Sequence, residues 1–302
     1  MRPATDSAAG RGRRCAVTGA GGYLGSRLCA SLRGSGWVVY ELSRGGGAAR
    51  PNDGLSVPFS LAQGAPPGFF RDEGVEALVH CAYDFRLTAW RDILEQNVKG
   101  SIRLMETARE EGVERLVFIS TMSAFEGCRS LYGRAKLEIE KEALRLGAVV
   151  IRPGLVYGDR PGAMVGAMVK ALELSPVVPL VGNGRQVLYP AHEDDLARLV
   201  ERVLHVADAE IGGPLIAASE KGKTFREIVT TLAARAGKRV WFAPVPWRLP
   251  WALLRSAEAL GLRPRFRSDS VLSLVNQAAR PDFAEARKLG VAFRDFDASR
   301  RE

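Results

Sequence analysis

Tyr132 and Lys136 stand four residues apart in the run Tyr132-Gly133-Arg134-Ala135-Lys136. On a helix that spacing puts both side chains on one face, so a phenol and an ammonium can serve one cavity. A free phenol has a pKa of about 10, too high for easy proton exchange near neutrality. A neighbouring ammonium stabilises phenolate and lowers that value. Tyr132 is then a candidate general acid for reducing a carbonyl, or base for oxidising an alcohol. Eleven residues upstream, Ile119-Ser120-Thr121-Met122-Ser123-Ala124-Phe125 carries three hydroxyls at the end of an apolar run. A hydroxyl there is placed to hold the substrate oxygen. A Tyr-x-x-x-Lys match alone is weak, because surface helices produce it by chance. Its value depends on the rest of the chain.

Cys15 to Val17 reads as a buried strand that stops, after Thr18, at the glycine cluster Gly19-Ala20-Gly21-Gly22-Tyr23-Leu24-Gly25. Apolar residues then recur at helical spacing as far as Leu32. Gly19, Gly22 and Gly25 fit Gly-x-x-Gly-x-x-Gly; the commoner Gly-x-Gly-x-x-Gly fails because its third position is Leu24. In a strand–turn–helix, backbone N–H groups around Gly22, Tyr23, Leu24 and Gly25 would face the pyrophosphate of a dinucleotide, and the helix dipole favours its charge. A plain tight turn is the competing explanation. Lys136 would then also reach the nicotinamide ribose. Trp37 to Leu42 reads as the second strand, ending at Ser43-Arg44 before Gly45-Gly46-Gly47. In dinucleotide folds an acid at this strand end binds the ribose 2′-hydroxyl, while arginine accommodates a 2′-phosphate. Ser43 in the acidic slot beside Arg44 favours NADP over NAD. Glu41, one rung earlier on the same strand face, and a merely solvated Arg44 both weigh against that preference.

Further strands are expected at Ser56–Leu61, Val75–Ala82, Leu116–Ser120 and Ala148–Ile151, with helices at Ala89–Glu111 and Tyr132–Leu146. Such alternation implies an α/β fold, a doubly wound parallel sheet of Rossmann type. Residues 14–158 form its dinucleotide-binding core. Beyond Gly158 helices at Ala163–Leu174, Asp194–Val206, Thr224–Ala236 and Asp282–Leu289, with a short strand at Arg185–Pro190, suggest a smaller substrate-binding lobe over 159–302, interleaved with the core. Val245 to Phe266, rich in Arg, Trp and Leu, reads first as a helix packing its apolar face on that lobe. A membrane-surface helix ranks second and a partner surface third.

The 302 residues are 46% hydrophobic and 25% charged, ordinary for a globular protein with a substantial core. No apolar run approaches the ~20 residues that span a bilayer. Residues 1–13 read as a disordered basic tail. Arg13-Arg14 suggests a twin-arginine export signal, but the glycine turn interrupts the apolar stretch too early. The four cysteines and three histidines show no metal-ligand spacing, so no metal site is expected, and free thiols suit a reducing, cytoplasmic setting. The net charge of +9 comes with no nucleic-acid motif; it suits an anionic cofactor or substrate.

Together these motifs resemble the short-chain dehydrogenase/reductase superfamily, as an extended or atypical member of its NAD-dependent epimerase/dehydratase branch. The resemblance runs from Arg14 to about Asp297. It rests on Thr18–Gly25, His80-Cys81-Ala82, Asn97-Val98-Lys99-Gly100, Ser120–Phe125, Tyr132–Lys136, Arg152–Gly158 and Asp194-Asp195-Leu196-Ala197. It implies a Rossmann fold, a Ser/Thr-Tyr-Lys triad, Asn97 supporting a proton-relay water, and cofactor contacts at Ala82, Pro153 and Val156. Aligning Phe125 with the family's aromatic makes Thr121 the triad hydroxyl. Aligning Gly127 with its glycine puts Met122 there, which cannot donate; Thr121 is preferred and Ser123 is the fallback. Glu126–Leu131 is shorter than in most sugar-modifying relatives, which weighs against a nucleotide sugar. The function implied is an NADPH-preferring reductase of a carbonyl, keto-sugar or lipid-like substrate. The alternatives are an NAD-dependent sugar epimerase or dehydratase, and a non-catalytic cofactor-binding protein. The resemblance also implies a homodimer through the helices at 89–111 and 132–146.

Overall fold

The computed structural model describes residues 12–45, 55–159, 162–206, 211–262, 264, 266–278 and 281–297. The expected tail up to residue 11, and Gly46-Gly47 of the expected turn, lie outside the described residues. Seven parallel strands form the central sheet. In chain order they are β1 (Arg14–Thr18), β2 (Val38–Ser43), β3 (Leu55–Pro58), β4 (Ala77–His80), β5 (Arg115–Ile119), β6 (Val149–Pro153) and, after four strands that lie outside this sheet, β11 (Leu215–Ala217). Their spatial order is β11-β6-β5-β4-β1-β2-β3. Strand β1 therefore pairs with β2 on one side and β4 on the other, and Thr18 is in register with both Leu42 and His80. Between β1 and β4 the order reverses, which opens the crevice where such folds hold ligands.

Central strands buried on both faces are largely apolar; β4 is buried at every position, and its one polar residue, His80, is paired with Thr18 of β1. Alternation along β1 sends Cys15 and Val17 to one face and Ala16 to the other. On the first face they meet α1 (Tyr23–Gly34) and α7 (Glu193–Val203). On the second, Leu78 and Phe118 pack under α4 (Lys99–Glu110) and α5 (Leu131–Arg145). The short helices α2 (Phe69–Asp72) and α3 (Trp90–Asp92) lie on the way. Between α3 and α4 the chain adopts a π-helical turn, Ile93–Val98, in place of the uniform helix expected over 89–111.

The C-terminal half adds β7 (Leu155–Tyr157), α6 (Ala163–Leu174), β8 (Val177–Val181), β9 (Val187–Leu188), β10 (Pro190–His192), β12 (Lys223–Thr224), α8 (Phe225–Arg235), β13 (Trp241–Val245), α9 (Arg248–Ala259), α10 (Ser268–Val275) and α11 (Ala284–Lys288). Most of its apolar side chains make a separate cluster, with Met168, Leu172, Leu180, Ile228, Leu232 and Phe296 at its centre. Sequence periodicity does not foresee β8, β11 or β13: β8 and β13 each carry an internal proline, which argues against a strand, and β11 has only three residues. Helix α9 departs from the expected packing: Trp247, Trp251 and Leu254 are half-buried, while Leu249 and Leu253 face outwards. The end of the expected tail is also engaged. The Arg13 guanidinium lies 4.4 Å over the Trp37 ring and pairs with Glu76 at 3.3 Å.

Candidate functional site

Helix α5 begins beside the end of β5, and its first turn is held from two directions. The Ser130 hydroxyl accepts the Gly133 N–H at 3.1 Å. Asp269, from α10, accepts the N–H of Leu131 at 2.7 Å and of Tyr132 at 2.9 Å. Three otherwise orphaned donors of the helix start are thereby satisfied. A side chain at Gly133 would overlap the Ser123 carbonyl oxygen. Glycine there lets α5 close onto the loop that follows β5.

That closure brings Thr121 and Tyr132 together, with the Thr121 hydroxyl close enough to the phenol to favour its ionised form. Tyr132 packs edge-on to the Tyr83 ring at 4.9 Å and lies 5.4 Å from the Phe85 ring. Burial pushes the phenol up to about 12, with the Asp269 carboxylate adding in the same direction and Thr121 opposing. The expected lowering by Lys136 is therefore not what dominates here. The Lys136 ammonium is buried, donates to the Ile119 carbonyl at 2.7 Å and lies 4.6 Å from the Phe118 ring centre. Burial lowers it to about 8. One turn further, Glu140 receives the Arg152 Nε at 2.9 Å and the Ser120 hydroxyl, tying α5 to β5 and β6. Ser123 offers its N–H to the Thr121 oxygen at 3.2 Å, so the fallback residue supports the preferred one.

Asn97 sits in the π-helical turn and is fully buried. Its Oδ1 accepts the Asp84 N–H at 2.7 Å and its Nδ2 donates to the Asp84 carbonyl at 3.1 Å. It thus fixes the loop bearing Tyr83, which faces Tyr132. At the end of β6, the Pro153 carbonyl accepts the Met122 N–H at 3.0 Å, next to Thr121. Val156, on β7 of the separate β7–β10 pair, is half-buried and packs against the core cluster that contains Cys15 and Val17 of β1.

The glycine turn is built on Thr18. Its hydroxyl oxygen accepts the N–H of Cys81 at 3.1 Å and of Ala82 at 3.2 Å, leaving its proton for His80 Nδ1 at 2.7 Å. Ala82 is thereby drawn against Gly19, which has φ +67° and no room for a side chain beside the Ala82 backbone. Gly22 donates to the Gly19 carbonyl at 2.8 Å, and a methyl at Gly25 would overlap that same oxygen. Helix α1 then starts with no side-chain cap and no acid in its first turn. The Tyr23 ring covers Gly162, so it is the backbone of Tyr23 and Leu24 that opens onto the turn. A glycine cradle with an uncapped helix start fits a pyrophosphate.

At the end of β2, Glu41 is taken by Arg33 of α1 at 2.5 Å, which removes it from the ribose position beside Ser43. Arg44 is exposed and pairs with Asp84 at 3.6 Å. Arg86 shares that carboxylate, its Nε donating at 2.9 Å, and holds it below the usual carboxylate range. Sequence reasoning missed Asp269, Ser130, Gly133 and Tyr83. Ser130 and Gly133 carry a local helix-start signal. Asp269 lies 137 residues from Tyr132 and carries none.

The sequence profile of the NAD dependent epimerase/dehydratase family matches residues 15–214. The chain belongs to this family. Among relatives, this family member is 30% identical to methionine adenosyltransferase 2 subunit beta of Danio rerio over 167 residues, 49% of each chain. It is 29% identical to ceramide reductase of Caulobacter vibrioides over 190 residues, 61% of this chain and 59% of the relative. The match spans 49% and 59% of the length of these two relatives. Among solved structures, MoeE5 in complex with UDP-glucuronic acid and NAD superposes with a TM-score of 0.65 at 23% identity, covering 92% of this chain and 97% of that one, which supports the fold. Among the described residues, no helix is long and apolar enough to cross a membrane.

Proposed function

We propose that this chain is an NAD(P)-dependent oxidoreductase acting at an alcohol or carbonyl carbon, with Tyr132 as acid/base, Thr121 as the substrate-facing hydroxyl and Lys136 and Asn97 as supports. The observation that carries it is the Thr121 hydroxyl beside the buried Tyr132 phenol, one helical turn from a buried ammonium. The dinucleotide is held by Gly19, Gly22, Tyr23, Leu24, Gly25 and Ala82, with Pro153 and Val156 towards the nicotinamide end and Ser43 and Arg44 at the adenosine end. A nicotinamide bound there supplies hydride exchange. The chain's own part is to hold the substrate oxygen between Thr121 and Tyr132, and to give it or take from it the phenolic proton. Lys136 adds positive charge beneath the phenol once a ligand draws its ammonium away from the Ile119 carbonyl. The test is NADPH or NAD turnover with a panel of aldehydes, ketones and keto-sugars. Tyr132→Phe should lower it at least a hundredfold with cofactor binding retained.

Within that chemistry Ser43 and Arg44 favour NADPH and hence net reduction. The epimerase or dehydratase reading draws on the family itself and on the NAD- and UDP-sugar-bound neighbour. The two differ in whether cofactor leaves each turn. Protein isolated with NAD bound and active without added NADPH is an epimerase or dehydratase; one that consumes NADPH stoichiometrically is a reductase. A protein stabilised by dinucleotide but inert to every substrate would be the binding-only form, in keeping with a relative named as an enzyme's subunit. Association into a homodimer through α4 and α5 belongs to this proposal, and light scattering checks it.

A further inference from the structure

Helix α9 has two apolar faces. One bears Trp247, Trp251 and Leu254, half-buried, and Glu258, whose carboxylate accepts the Ser268 N–H at 2.9 Å and hydroxyl at 2.6 Å. The opposite face bears Leu249, Leu253 and, just past the helix end, Leu260. Intervals of four and seven residues align them in one stripe. They are 58%, 73% and 80% exposed. A solvated helix ordinarily turns polar residues outwards, and a leucine stripe left open marks a contact surface.

Charge indicates what covers it. Residues 247–267 contain five arginines and one acid, Glu258. That acid is turned inwards to Ser268 and is shared at 3.9 Å by Arg255 and Arg267, so the charge bordering the stripe stays net positive, with Arg248 and Arg255 exposed on one rim. A second copy docking by the same face would bring these arginines towards their counterparts. An anionic lipid surface offers opposite charge and an apolar interior together. We propose that the outer face of α9 seats this protein on an anionic bilayer, with the leucines inserted at the headgroup boundary. Whole-protein charge is consistent, at +9.

The seat is rigidly tied to the candidate site. Glu258 holds the start of α10 through Ser268; the next residue, Asp269, holds the start of α5 at Tyr132; and Arg267 donates to the carbonyls of Phe85 at 2.9 Å and Leu87 at 3.0 Å. Lipid contact at α9 therefore lies one short hydrogen-bonded path from Tyr132, but the proposal needs no particular reaction there.

The test is co-sedimentation of the full chain with extruded vesicles, either phosphatidylcholine alone or an equimolar mixture with phosphatidylglycerol. The chain should pellet with the anionic vesicles, little with the neutral ones, and less as salt is raised. Replacing Leu249, Leu253 and Leu260 together by serine should abolish pelleting with an unchanged thermal midpoint, because all three are exposed. Arg248→Gln with Arg255→Gln should weaken it by about fivefold per arginine. Wild type that stays in the supernatant at low salt overturns the proposal, as does a serine variant that pellets like wild type. So does a wild-type dimer that the serine variant converts to monomer, which would make the face a contact between copies.

Discussion

The Asp269 carboxylate and the Tyr132 backbone meet at 2.9 Å, so a residue of the C-terminal lobe sets where the candidate acid/base stands. The same carboxylate, pushed above its usual range by burial, also raises the phenol by its charge. Arg267 and Glu258 are the other charged groups that face it. Asp269→Asn keeps one acceptor and turns an amide N–H towards the other donor. The expected cost is about 1 kcal/mol of stability. Removing the charge should also move the limb of the pH–rate profile set by the phenol to lower pH. A purely structural role would lower kcat and leave that limb in place.

Thr121 acts on the phenol in the opposite sense, since its nearby hydroxyl favours phenolate. Thr121→Val should therefore move the same limb to higher pH and reduce kcat by roughly ten- to a hundredfold, while Thr121→Ser keeps both near wild type. Ser123→Ala should leave the limb unmoved, because Ser123 meets the site through its backbone N–H. A shift on Ser123→Ala with none on Thr121→Val would exchange the two roles.

These neighbours also show how much the sequence conveys. Gly19, Gly22 and Gly25 sit in one short segment whose spacing states its own geometry, and the strand–turn–helix they imply is present. Thr121 and Tyr132 are joined by a short loop, so their convergence is legible once both ends are assigned. The direction of the Tyr132 shift is not legible, because burial depends on Tyr83 and Phe85 arriving from another strand end. Nor is the Asp269 cap, because Asp269 comes from α10, 137 residues beyond Tyr132, with no local signal to link the two. Leu249 and Leu253 give the same helical signal whether their face is covered or open. Only packing separates the two.

Arg44 pairs with Asp84 at 3.6 Å, at the strand end where a 2′-phosphate would bind. If the phosphate takes over that guanidinium, Arg44→Ala should raise KM for NADPH by about tenfold and leave KM for NADH nearly unchanged, a loss of roughly 1.4 kcal/mol confined to one cofactor. Steady-state kinetics with both cofactors on one substrate checks it. Equal effects on the two, or none, would assign the chain to NAD and leave Arg44 as a surface partner of Asp84.

His80 is fully buried, takes its one observed hydrogen bond from the Thr18 hydroxyl, and is lowered to about 3 by burial, with the Lys136 charge adding to the shift. Between the ordinary histidine value of about 6.5 and that figure, the unfolded chain binds a proton that the native state refuses. Stability should accordingly fall as pH drops through this window, by up to about 1.4 kcal/mol per unit from this residue, and the loss should be complete below about pH 3. His80→Asn retains an acceptor for Thr18 but does not titrate. It should be less stable than wild type at neutrality, where the smaller side chain leaves a gap against Phe118. The difference should narrow in urea denaturation as pH is lowered towards about 4.5. A gap that stays constant would mean that His80 is protonated in the native state, and the hydrogen bonding that anchors the glycine turn through Thr18 would then have to be reassigned.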